Sequence, residues 1–214
     1  VGQAAFFGAG ALVARLLWTN GMPFVLAFLG GGAASVLLAL VIGVPALRLR
    51  GHYFAIATLA VAWIALIAIE NILPGVTFLP GKQVATYNLL PRYYAFLIIS
   101  LLTVTAMFLT VRSKMGLAME SIREDEDAAQ SSGVNVFKYK VIAFIISSFF
   151  VGLAGGCFAY LNVSYYWYLP FILMWCFEPI LITFIGGVGT ISGPIIGSLC
   201  YVALKEVFAL TLGE

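Results

Sequence analysis

The chain has 214 residues, 63% of them hydrophobic and 9% charged, where soluble domains carry about 25% charged residues. A soluble core of this size could not hide so much apolar surface, so the composition excludes a soluble globular protein and defines an integral membrane protein. The apolar runs are long and continuous, which excludes a transmembrane barrel built from alternating segments of about ten residues. The formal net charge of +2 comes with no basic patch, so nucleic acid is not an expected partner.

Val1 opens the chain inside an apolar run with no charged segment before it. That is not how a signal peptide begins, and a missing N-terminal piece is expected. Residues 3 to 18, QAAFFGAGALVARLLW, are rich in Gly and Ala and short for a span. They read as a span cut short or a re-entrant segment, with Arg15 placed to snorkel toward an interface. Residues 24 to 47 form the first full-length helix. Its run from Gly30 to Ser35 allows close helix approach, and Pro45 marks a kink or an end. Arg48 and Arg50 follow, and the next helix covers about 53 to 70.

Residues 71 to 91 break the pattern with Pro74, Gly75, Pro80, Gly81 and Pro91, and form a loop too long for a bare linker. Helices are expected at about 92 to 111, 141 to 161, 171 to 185 and 195 to 212. GGVGTISGPIIG, at 186 to 197, interrupts the last pair, and Tyr165, Tyr166, Trp167 and Tyr168 read as an interfacial aromatic belt. The fold class is therefore an all-α polytopic bundle of about seven spans or partial spans, a single membrane domain over 1–214.

The stretch from 112 to 140 stands apart. It holds Arg112, Lys114, Glu120, Arg123, Glu124, Asp125, Glu126, Asp127, Lys138 and Lys140, half of the charged residues in the chain. Between 141 and 204 the only charge is Glu178. Each charge left in hydrocarbon costs about 2.5 to 3.5 kcal/mol on insertion scales, so this loop lies in water. The Lys and Arg count puts it on the cytoplasmic side with Arg48 and Arg50, and the 71–91 loop with Lys82 and Arg92 outside.

From Gly116 to Ser132 the loop suits a helix, with Arg123 spaced to pair with Glu126 or Asp127 and Gly133 suited to a left-handed C-terminal cap. Its residues alone fit a solvated connector as well as a docking element. Glu178 is a functional candidate at membrane depth or a packing carboxyl, with Lys205 as a possible partner. His52 reads as a surface side chain. Cys157, Cys176 and Cys200 read as buried thiols, with neither a disulfide framework nor a metal site. The glycines at 152, 155, 156, 186, 187, 189, 193 and 197 fit helix packing, or a broken helix lining a pathway.

Asp127-Ala128-Ala129 with Gly133 resembles the "EAA…G" loop of ABC importer permeases, Asp standing for Glu. GQAAFFGAGA, LRLRGHYFAIATLA, SIREDEDAAQSSGVNVFKYKVIAF, SSFFVGLAGG and EPILITFIGGVGTISGPIIG together resemble, in order, the LivM-type permease of branched-chain amino acid ABC importers. The resemblance implies a coupling helix docked on a cytoplasmic ATPase, carried by Arg123, Glu124, Asp125, Asp127, Ala128, Ala129 and Gly133. It makes Tyr53, Thr58, Glu178, Gly186 and Gly187 candidates for the substrate pathway. It also implies a second permease, two ABC ATPases and an external solute-binding protein as partners, no cofactor and no catalytic site of its own. Branched-chain amino acids are the implied cargo, with urea, short amides and other amino acids as alternatives. PGVTFLPGKQV departs from the family's "TGG.NG" stretch, which weakens any inference about cargo. An intramembrane enzyme would need convergent acids, nucleophiles or ligands, and one His and one midspan Glu do not supply them. A channel subunit would explain the glycines but not the charged loop.

Overall fold

The computed structural model describes residues 2–49, 51–73, 75–78, 87–190 and 192–212. Helix α1 (Gln3–Thr19) is followed by α2 (Phe24–Leu38), a π turn over Ala39–Gly43 and a last helical turn, Val44–Ala46. Then come α3 (His52–Ile72), strand β1 (Val76–Phe78), α4 (Leu89–Arg112), α5 (Lys114–Glu124), α6 (Glu126–Ser131) and α7 (Val136–Leu161). Strand β2 (Ser164–Tyr166), a 3-10 turn at Leu169–Phe171, α8 (Met174–Gly186) and α9 (Gly193–Leu212) complete the chain. Among the described residues, five helical stretches are long and apolar enough to cross a membrane: Phe24–Ala46, His52–Ile72, Leu89–Arg112, Val136–Leu161 and Gly193–Thr211. With α1 and α8 as shorter members, they form a polytopic all-α membrane bundle.

The core is the crossing of α1, α2 and α7. Helix α1 is its centre: Ala4, Ala5, Gly8, Ala11 and Ala14 are buried, a stripe of small side chains that lets two neighbours reach its backbone. A Cβ built at Gly10 falls 2.5 Å from the Gly152 Cα, and one at Gly152 falls 2.6 Å from the Ser35 Cβ. The Ser35 hydroxyl donates to Phe6 O at 2.7 Å, so the tight approach also satisfies its buried polar atom. Packing is thus the role of Gly152, Gly155 and Gly156. Replacing Gly152 with Val should force α2 and α7 apart. We expect a loss of most monodisperse protein in detergent gel filtration, because overpacking a close backbone contact costs about 1–3 kcal/mol.

Proline behaves in α2 as expected. The π turn just before Pro45 absorbs the clash that a proline ring makes with the preceding turn, and the helix then runs on to Ala46. The connection after α3 carries β1, paired antiparallel with β2 as Val76↔Tyr166, Thr77↔Tyr165 and Phe78↔Ser164. This ladder ties the 71–91 loop to the aromatic stretch, which is why the loop is more than a linker. Pro74, Pro80, Gly81 and Lys82 lie outside the described residues, as do Arg50 and most of the departure from the family's loop pattern.

Beyond β2 the chain turns back into the bundle. The Phe171 ring lies 2.5 Å from a Cβ built at Gly8. Trp175 stacks on Phe7 with ring centroids 4.9 Å apart, and Ala4 N donates to Cys176 Sγ at 3.3 Å. Helix α8 therefore starts deep inside the bundle, and its 13 residues span about 20 Å, roughly two-thirds of the hydrocarbon core. By contrast α3, α4 and α9 are mostly exposed and face lipid or another chain. Cys157 and Cys176 are buried as expected, whereas Cys200 on α9 is exposed.

Candidate functional site

The charged loop is a jointed pair of helices. Ser113 caps α5 by accepting from Met115 N at 3.2 Å. The single helix expected over Gly116–Ser132 is interrupted at Asp125, where the backbone is extended (φ −155°, ψ 116°). The Asp125 carboxylate accepts from Asp127 N at 2.9 Å and Ala128 N at 3.0 Å, an N-cap that starts α6. Asp125 is thus a structural cap. Because the break separates Arg123 from the next turn, the expected pairing with Glu126 or Asp127 does not form. Glu126 instead forms an ion pair with Lys140 of α7.

Gly133 ends α6 as the sequence predicts. Its φ is +84°, and Val134 N donates to Ala129 O at 3.0 Å. A β-branched residue is strained in this left-handed region by about 1–2 kcal/mol. Gly133→Val should therefore speed amide hydrogen exchange across α6 while leaving α7 protected. Asn135 then caps α7 through Lys138 N at 3.0 Å.

The joint sets which side chains a partner can reach. Glu124, Asp127 and Ala128 are exposed toward it, while Arg123, exposed as well, turns its guanidinium toward the Gly189 backbone. Ala129 is only 4% exposed, so its methyl group faces the chain itself, and the small surface open to docking is Ala128. Behind α6 lies a cleft of about 580 Å³, walled on one side by Leu47 and Arg48 and on the other by Glu126, Asp127, Gln130 and Lys140. Arg48 therefore sits beside the charged loop, in agreement with the charge count.

The candidate pathway residues divide. Tyr53 is 74% exposed on α3. Thr58 is buried, its hydroxyl donating to Phe54 O and Ala55 O at 3.0 Å while its side chain abuts Gly2. Glu178, Gly186 and Gly187 lie at different points along the α8–α9 hairpin. The partner of Glu178 is not Lys205: Tyr201 Oη donates to its Oε1 at 3.1 Å, because residue 201 is the one that α9 brings level with the carboxylate. Gly187 has φ +96° and caps α8. Gly186 lies against α9, a Cβ there falling 2.9 Å from Gly197 N. His52 is exposed at the start of α3, as expected.

At the opposite end the structure corrects two expectations. Arg15 does not snorkel. It is fully buried, and donates from Nη1 to Ala159 O and Asn162 O at 3.0 Å and from Nη2 to Val163 O at 3.1 Å. Arg92, 2% exposed, donates to Tyr160 O and Leu161 O, and the Tyr87 hydroxyl donates to Leu161 O at 3.0 Å. The carbonyls from Ala159 to Val163, which the end of α7 leaves without helical partners, are thus covered by two guanidinium groups at the negative end of the helix dipole. Aromatic faces complete the clamp: Arg15 lies 5.4 Å from the Tyr165 ring and Arg92 lies 3.8 Å from that of Tyr87. Tyr165 and Trp167 are accordingly buried, as inward-facing alternate residues around a strand and not as a membrane belt. Burial raises the Tyr165 hydroxyl above its ordinary range, with the Arg15 charge pulling the other way, so the phenol stays protonated at neutral pH.

A bundle of apolar spans, a short helix starting inside it and a charged helical loop define a multi-pass α-helical membrane protein. The chain belongs to the family described as "Branched-chain amino acid transport system / permease component", whose profile matches residues 1–213. It is 29% identical to the high-affinity branched-chain amino acid transport system permease protein LivM of Salmonella typhimurium, over 74% of this chain and 45% of that one. It is 22% identical to the probable branched-chain amino acid transport permease protein LivM of Methanocaldococcus jannaschii, over 92% of this chain and 56% of that one. A third relative, the guanosine ABC transporter permease protein NupQ of Bacillus subtilis, is 34% identical over 31% of this chain and 21% of that one. The chain spans about half the length of the LivM relatives it matches. No solved structure matches it.

Proposed function

We propose that the chain is the membrane-spanning part of an ATP-driven importer permease, carrying branched-chain amino acids handed over by an external solute-binding protein. In this reading a second permease lies against the exposed faces of α3, α4 and α9, and two ABC ATPases bind from the cytoplasm. The observation that carries it is the α5–α6 joint, which presents Asp127 and Ala128 to water while Glu126 ties the same helix to α7. A movement imposed on α6 then reaches a helix that crosses the membrane within the core. The chain itself performs no hydrolysis; nucleotide turnover in the ATPases drives the change of access.

The cargo assignment rests on the names of the LivM relatives. The NupQ relative gives a second reading, the same architecture with a nucleoside cargo; urea is a further arm of the test, and short amides and other amino acids are the remaining alternatives. The experiment is ATP-dependent uptake of labelled leucine, urea and guanosine into proteoliposomes holding the full-length protein with its partners. Leucine uptake that excess valine abolishes and guanosine leaves unchanged is the expected result. Guanosine or urea uptake without leucine uptake would replace the cargo assignment.

A further inference from the structure

Among the described glycines of the 186–197 stretch, Gly189 stands apart: the three atoms nearest a Cβ built on it all belong to Arg123. Gly189 has φ +89°, and the built Cβ falls 2.8 Å from Nη2 and 2.9 Å from Cζ of Arg123. The Arg123 guanidinium of α5 therefore turns its Nη1/Nη2 edge toward the backbone at the tip of the hairpin. It does so just past the C-terminal end of α8, where unpaired carbonyls give the helix its negative pole. Arg123 has been freed for this contact by the break at Asp125, since Glu126 is taken by Lys140.

The two arms of the hairpin are tied to each other. Gly186 meets the backbone of Gly193 and Gly197, and Tyr201 holds Glu178 farther along. At its inner end α8 touches α1 through Cys176 on Ala4 and Trp175 on Phe7. A push on the tip is therefore delivered to the centre of the bundle.

We infer that Arg123 is a positioning residue that works on the membrane side of the loop, its guanidinium on the Gly189 turn carrying movement of α5 into the short helix α8. This rests on the importer reading above and adds a second route beside the α6–α7 ion pair. It predicts a phenotype different from that of a docking residue: the ATPases bind and turn over, but transport does not follow.

The test uses the full complex in proteoliposomes, with ATPase association, ATP turnover and leucine uptake measured on the same preparation. Arg123→Gln should keep association and turnover within twofold of wild type and lower uptake at least tenfold. Arg123→Lys, which retains a cation of similar reach, should recover uptake to within about threefold. Gly189→Ala, altering the same contact from the other side, should reproduce the uncoupled pattern. Unchanged uptake in Arg123→Gln overturns the inference, and so does a parallel fall in association and uptake, which would make Arg123 part of the ATPase dock. Wild-type complexes that show no ATP-driven uptake of any cargo would instead remove the importer reading itself.

Discussion

Asp127→Arg and Ala128→Trp should each abolish ATP-driven uptake, with a fall of at least tenfold, and should release the ATPases on co-purification. Both side chains are exposed on α6, so neither change disturbs the fold. Asp127 lies in the first turn of α6, where a negative charge suits the helix dipole and a positive one opposes it by about 0.3–1 kcal/mol. That is too small to melt the helix, yet reversing a charge at an interface costs several kcal/mol. Ala128→Trp puts a bulky ring where only a methyl stood. Ala129→Trp is a different experiment: Ala129 is buried, and the ring would displace α6 from its seat. A protein that folds, binds and transports normally with Arg at 127 and Trp at 128 would reduce the loop to a connector.

Arg15→Leu should be among the most destabilising single changes in the chain. Three carbonyl contacts from Ala159, Asn162 and Val163 vanish together in a place that water does not reach. Each buried acceptor left unpaired costs about 1–3 kcal/mol, so the loss is on the order of 3 kcal/mol or more. Arg15→Lys should recover only part of it, since an ammonium group cannot span three carbonyls as a planar fork does. The measurement is the midpoint of thermal unfolding in detergent, followed by intrinsic Trp fluorescence: Trp18 and Trp167 lie around the clamp and report directly on its opening. A midpoint unchanged in Arg15→Leu would show that the carbonyls find other partners.

The spans were legible because hydrocarbon thickness and charge cost act on every residue. The helix expected at 53 to 70 is observed as His52–Ile72, and the one at 92 to 111 as Leu89–Arg112. Gly133 was legible for a local reason, since a helix that stops before an exposed turn needs a left-handed residue. The break at Asp125 was missed, yet it had a signal. An Asp followed by two acids is an N-cap with a first turn suited to the dipole, and that pattern outweighs the helical composition around it.

The Arg15 clamp had no comparable signal. Its partners are backbone carbonyls 144 to 148 positions away, and carbonyls leave no mark in side-chain sequence. Tyr165 and Trp167 carried none either: 165 to 168 read as a run of aromatics with no apolar–polar alternation, and the alternation appears only in the burial of the strand. Glu178 found Tyr201 and not Lys205 because the pairing depends on the register between α8 and α9. Gly186 and Gly197 fix that register by contact, not by any local preference.

The central claim is that the exposed face of α6 is where an ATPase docks. Cross-linking from single cysteines at 128 and 129, in inner-membrane vesicles holding the full-length protein and its partners, tests it most directly. The account predicts that Ala128→Cys cross-links to an ATPase subunit and is shielded from aqueous maleimide in the complex, while Ala129→Cys, facing the chain's own core, does neither until the protein is denatured. Free labelling of Ala128→Cys in a complex that is actively transporting, with no cross-link, would contradict it.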